Sequence, residues 1–112
     1  MVKNWVDFIR EFTKAKPLFN DANPKMAAAF KALNEAQGSN GSLDAKTREL
    51  IALAVAVTTR CDGCIGSHAT AARKAGATNT ELSEALGTAI ALNAGAAYVY
   101  SVRAMEAFSQ LD

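Results

Sequence analysis

The sequence predicts an all-α fold, a compact bundle of about six helices forming one domain over residues 1–112. Three observations point there. Apolar residues recur at three- and four-residue spacing along most of the chain, which is the period of a helix with one covered face. The longest apolar run, Leu50 to Val57, interleaves alanine with leucine, isoleucine and valine, and alanine favours helices and is depleted in sheets. Helix-starting residues stand in front of these stretches at Asn23, Asp44 and Thr78.

The first helix carries Trp5, Phe8, Ile9 and Phe12 on one face and stops before Pro17. Phe12, Leu18 and Phe19 fit core or subunit packing. Asn23 followed by Pro24 is a cap and first-turn pair, and Met26, Phe30 and Leu33 continue a stripe to Gly38. The GSNGS segment, Gly38 to Ser42, is a turn cluster too short to link domains. Asp44 caps a third helix that is apolar on all sides from Leu50 to Val57 and so belongs at the centre, covered all round. Thr58, Thr59 and Arg60 end it. A fourth helix begins at the Cys61-Asp62-Gly63-Cys64 turn and stops at Gly76. Thr78 with Glu81 forms a capping box ahead of a fifth helix bearing Leu82, Leu86 and Ile90. A break is expected at Asn93, Ala94 and Gly95, and a sixth helix carries Tyr98, Val102, Met105 and Phe108.

Composition narrows the function classes. Half the residues are hydrophobic and 21% are charged, with a formal net charge of +1, so no field draws the chain to nucleic acid or to an anionic membrane surface. No stretch of about 18 uninterrupted apolar residues is present, and the charged N-terminus is unlike a secretory signal. The expectation is a cytoplasmic protein with small-molecule or protein partners. In a reducing compartment two cysteines three positions apart serve redox or metal chemistry rather than a structural staple. So short a chain, with an apolar third helix and an aromatic first one, also calls for burial against copies of itself.

The chemistry concentrates between Glu49 and His68, which holds Cys61, Cys64 and the single histidine of the chain. An ordinary thiol, with a pKa of roughly 8.5, is only about 3 per cent thiolate at pH 7. A helix start favours the thiolate through its unpaired N–H groups and dipole. His68, four residues after Cys64, shares its helix face and can take the thiol proton. Cys61 can converge on the same place, and two thiols that meet can form a disulfide. If the chain reverses between Arg60 and Gly63, Glu49 returns beside His68, where an acid fixes the imidazole tautomer directly or through a water. Zinc is a competing reading, but two cysteines and one histidine lack a fourth soft ligand. Haem attachment requires histidine directly after the second cysteine, where Ile65 stands.

Glu49, eleven residues, Cys61-x2-Cys64, three residues and His68 resemble the core motif of the alkyl hydroperoxidase D family, within the carboxymuconolactone decarboxylase superfamily. The likeness runs from about Leu43 to the final helix and includes the Gly76-Ala77-Thr78 turn. It implies an all-helical homo-oligomer, a trimer or hexamer, with no bound cofactor. It also implies thiol chemistry in which Cys64 is oxidised by a hydroperoxide to a sulfenic acid, Cys61 closes the disulfide, and His68 and Glu49 relay protons. An external dithiol such as a dihydrolipoyl group is the implied reductant. The chain departs from the best-known members at Gly63, where they carry a second histidine, and in lacking their additional N-terminal helices. Reduction of disulfides is therefore an alternative to peroxide turnover. A decarboxylase acting through Glu49 and His68, or a redox-sensing oligomer that does not turn over, are further alternatives.

Overall fold

The computed structural model describes residues 2–112, and every described element is helical. Helix α1 spans Trp5–Ala15, α2 Pro17–Asn20, α3 Pro24–Ala36, α4 Ala45–Thr59, α5 Asp62–Lys74 and α6 Asn79–Gln110. The local start signals act as read. Asn23 Oδ1 accepts from Met26 N at 3.3 Å, and Asp44 Oδ1 from Thr47 N at 2.8 Å. Thr78 and Glu81 close a reciprocal box, with Glu81 N donating to Thr78 Oγ1 at 3.1 Å and Thr78 N to Glu81 Oε1 at 2.9 Å. Lys46 Nζ lies 2.8 Å from Glu81 Oε2, tying the start of α4 to the start of α6.

The helix inventory differs from expectation in two places. Pro17 stops α1 but also opens a single turn of its own, α2, since its fixed φ suits the first helical position. The fifth and sixth predicted helices are one continuous helix of 32 residues. Asparagine and glycine weaken a helix by up to about 1 kcal/mol each relative to alanine, which is too little to end one that is otherwise well formed. No proline or left-handed residue interrupts α6, and Asn93 Nδ2 donates to Ala89 O at 2.7 Å, keeping its polar group on its own helix. By length and composition α6 would also suffice to cross a membrane, one 18-residue window reaching a mean hydropathy of 1.3. Its apolar content includes many alanines, and Ala89 is buried.

Helix α4 packs against both α5 and α6, so it is central as the sequence implied. The cover is incomplete, however. Leu53 and Ala56 are buried, while Ile51 and Val55 on the same helix remain about half exposed. Helix α1 lies across α5, where the absence of side chains at Gly63 and Gly66 lets it approach: a Cβ on Gly66 would stand 3.0 Å from Ile9 Cγ1. Helix α3 packs against α2 alone among the described helices. The bundle is consequently open, with a radius of gyration of 18.3 Å, against about 13 Å for a compact domain of this length. Phe30, Leu33, Tyr98, Met105 and Phe108 all lie on the surface of the single chain.

Candidate functional site

The reversal between α4 and α5 sets the geometry of the site. Arg60 takes the left-handed conformation, φ 55°, and Cys61 N donates back to Ala56 O at 3.1 Å, the long bond of a Schellman closure. Cys61 then serves as the cap of α5, its Sγ accepting from Cys64 N at 3.2 Å. One residue therefore ends the closure of α4 and begins α5. No length is left for a loop, so the two helices run antiparallel and their facing residues meet.

Glu49 and His68 do meet, with Glu49 Oε2 2.6 Å from His68 Nδ1. The contact is direct, without the bridging water that the spacing also allowed. Each side chain is about a quarter exposed, 23% and 24%. A carboxylate oxygen accepts, so the ring nitrogen that faces it, Nδ1, is the donor of this bond. Cys61 and Cys64 are joined in a disulfide with Cα atoms 5.2 Å apart.

Cys64 and His68 open into a cleft of about 570 Å³, whereas Cys61 and Glu49 are absent from its lining. The opposite walls are the Gly38–Leu43 turn and the face of α4 that bears Arg48, Ile51 and Val55. The second cysteine and the imidazole thus meet whatever enters, and the first cysteine and the glutamate reach the cleft only through them. On the other side of the cysteine turn, Lys3 Nζ lies 2.6 Å from Asp62 Oδ2. A Cβ at Gly63 would stand 3.5 Å from the tip of the Phe12 ring. Gly63 therefore lies beside α1. With Cys61 and Cys64 bonded to each other, no group of three or more His, Cys, Asp or Glu side chains among the described residues is arranged to hold a metal ion.

All four residues singled out from the sequence fall in one place. Arg48 and the glycine turn were missed. A single cation among the apolar positions 48, 51 and 55, which lie one turn apart on one helix face, was the available signal.

The fold and site define a class: an all-helical protein with a cysteine pair at a helix start, backed by a histidine–glutamate pair. Residues 24–107 match the carboxymuconolactone decarboxylase family, and the chain belongs to that family. It is 54% identical over 109 residues to a protein of Haemophilus influenzae, covering 97% of this chain and 96% of that one. A carboxymuconolactone decarboxylase family protein from Legionella pneumophila, solved by crystallography, is similar with a TM-score of 0.73 and 37% identity over 95% of each chain. A crystal structure from Methanobacterium thermoautotrophicum gives a TM-score of 0.70 and 38% identity, covering 76% of this chain and 96% of that one.

Proposed function

We propose that the chain is a thiol-dependent peroxidase that reduces alkyl hydroperoxides. The observation that carries this reading is the division of the four residues: Cys64 and His68 line the cleft, with Cys61 bonded to Cys64 from behind. In the reduced chain His68 Nε2, its ring held by Glu49, takes the Cys64 proton. The thiolate attacks the terminal oxygen of ROOH, the O–O bond breaks, and the departing alkoxide collects the proton from His68 to leave as ROH. Cys64 is then a sulfenic acid. The Cys61 thiol attacks its sulfur, expelling the hydroxyl as water and forming the disulfide. An external dithiol attacks that disulfide, and by exchange leaves as its own disulfide with both cysteines reduced. A dihydrolipoyl group has the required chemistry.

Gly63 favours a second reading, reduction of protein or small-molecule disulfides with little peroxide turnover. The residue offers no side-chain proton donor or acceptor beside Cys64, and the place of its missing Cβ lies against Phe12. A disulfide substrate needs less help there, since its leaving group is a thiolate rather than an alkoxide.

The open surface of the bundle supports a homo-oligomer, a trimer or hexamer, and its mass in solution by light scattering tests that. A chain that stays monomeric across the micromolar range would reject it.

The deciding experiment counts free thiols and intact mass of the reduced chain before and after one equivalent of cumene hydroperoxide, beside a Cys61→Ser variant. The peroxidase reading requires rapid loss of two thiols in the parent and a trappable sulfenic acid at Cys64 in the variant. Thiols that survive the peroxide but exchange with a small disulfide transfer the assignment to the reductase. Inertness to both rejects thiol chemistry altogether.

A further inference from the structure

The cleft holds a charged group that the proposed chemistry does not use. Arg48 is partly buried in the first turn of α4, and its Nε is shut off from solvent with no hydrogen-bond partner. An unpaired donor of this kind is costly to keep, more so on a charged group. No carboxylate lies within ion-pair distance of its guanidinium among the described residues. The nearest help is from Asp44, one turn earlier, whose carboxylate is engaged by Thr47.

The guanidinium nevertheless occupies a defined seat. It lies against Gly38, so closely that a Cβ at that position would coincide with one of its terminal nitrogens. Gly38 begins the turn that forms the far wall of the cleft. A glycine there makes room for the cation rather than for a backbone bend, because its φ is not in the left-handed range.

Position follows from the antiparallel helices. Glu49 faces His68, and Cys64 lies one turn further toward the end of α4, so Arg48 and Cys64 are offset by about 8 Å along the axis. On α4 the wall between them is apolar, with Ile51 and Ala52 and then Val55 just past the level of Cys64; Leu43 adds to it from the turn, whose Ser39, Asn40 and Ser42 supply polar lining. A cation without a partner at one end, an apolar helix wall and a reactive sulfur at the other describe a ligand with an anionic head and a hydrocarbon body.

We infer that Arg48 is a specificity-determining residue that binds the carboxylate of the substrate, so that the cleft takes an organic carboxylate whose reacting group lies along an apolar chain. Resting on the peroxidase reading, the substrate class is the hydroperoxides of carboxylic acids. A planar guanidinium suits a carboxylate in particular, through paired N–H donors.

Binding can be tested without any redox step, so that failure here is distinct from failure of the peroxidase reading. Octanoate, methyl octanoate and inorganic phosphate are titrated calorimetrically into the reduced chain, its Arg48→Gln and Gly38→Ala variants, and His68→Gln. Octanoate is expected to bind at least about tenfold more tightly than its ester, the scale of a charged hydrogen bond. The preference falls to within about threefold in Arg48→Gln. It also falls in Gly38→Ala, which keeps the charge but pushes the guanidinium from its seat; the displaced group is the free end of a flexible side chain, so the fold is undisturbed. Helicity and solution mass stay as in the parent. Equal binding of acid and ester overturns the inference, as does a preference that survives Arg48→Gln or one lost only in His68→Gln. Phosphate binding as tightly as octanoate removes the apolar body from the argument and overturns it equally. So does a changed mass in Arg48→Gln, which would put the guanidinium's partner in another copy.

Discussion

Glu49 and His68 are nineteen residues apart in sequence, yet Oε2 and Nδ1 stand 2.6 Å apart, because a left-handed residue at Arg60 folds α5 directly back along α4. The carboxylate accepts from the ring, which places a hydrogen on Nδ1 and fixes how the ring is turned. Orientation and tautomer are both properties that catalysis by an imidazole needs.

Glu49→Gln is therefore expected to slow oxidation of Cys64 by about 10- to 100-fold, the range typical for removal of such an orienting partner. Glutamine is isosteric and keeps a hydrogen-bonding group, so helicity should stay as in the parent. Stopped-flow measurement of sulfenic acid formation gives the rate, and nitrogen NMR of the ring gives the tautomer. A single Nδ1–H tautomer that persists in the variant, with an unchanged rate, would sink the assignment.

How far the site was legible depended on the range of the interactions. The caps at Asn23, Asp44 and Thr78 are local, each a side chain bonding three residues on, and the sequence carries them in full. The meeting of Glu49 and His68 was legible too, since two helices joined by almost no loop can only lie alongside each other. The continuity of α6 through Asn93 and Gly95 was not, because residues that commonly mark turns were read locally. Nothing local reveals that no chain reversal follows. Arg48 and Gly38 were hidden for a different reason: a turn that closes on a helix side chain ten residues away has no periodic signature. The centrality of α4 was read correctly and its full cover was not, since an apolar face says that it must be covered and not by which chain.

Arg60 itself offers a simple test of the reversal. A side chain in the left-handed region costs roughly 1–2 kcal/mol, and Arg60 is exposed, with only its backbone engaged. Arg60→Gly removes that cost but adds unfolded-state freedom worth about 0.5–1 kcal/mol. The net expectation is stabilisation by about 0.5–1 kcal/mol in urea unfolding. A destabilised variant would mean that the arginine side chain makes a contact that the described chain lacks.

Stability against pH should show both signs of linkage. Hydrogen bonds from Thr47 hold the Asp44 carboxyl below its ordinary value of 3.8, and Lys46 with Thr78 holds that of Glu81 below 4.5. Depressed carboxyls contribute stability that is complete above their ordinary values and is lost as pH falls through the folded ones. Glu81 in turn holds the Lys46 ammonium above 10.5, a contribution present below that pH and lost as pH rises through the folded value. Thermal melts of Asp44→Asn should thus show a shallower acid limb with the alkaline limb intact, and Lys46→Gln a shallower alkaline limb. Asp44 is exposed and the Lys46 and Glu81 side chains are about a third exposed, so the effects are small and the Lys46–Glu81 part should weaken further in 1 M salt. Acid limbs that superimpose for parent and Asp44→Asn would remove the cap from this account.

The seat of α1 on α5 gives a prediction about the cover over the cysteine turn. Gly66 is buried, and a Cβ there would already press on Ile9 Cγ1 at 3.0 Å and approach Trp5 Cε3 at 3.8 Å. Alanine gains about 1 kcal/mol of helix propensity, which offsets part of that crowding. Leucine adds a branched side chain where no space exists, and overpacking of this kind typically costs 1–3 kcal/mol. The less costly response is for α1 to lift away, since among the described helices it is held only by α5 and the short α2. Trp5 is the single tryptophan of the chain and lies in that contact, so its fluorescence reports the event directly. Gly66→Leu should shift Trp5 emission to longer wavelength and raise quenching by iodide, with the α4–α5 pair intact. If Lys3 and Phe12 shield the cysteines as their contacts at Asp62 and Gly63 imply, the same variant should also speed reduction of the Cys61–Cys64 disulfide by a bulky phosphine. An unchanged emission maximum would mean that α1 has another anchor. A moved α1 with an unchanged reduction rate would mean that the cysteines are reached only through the cleft.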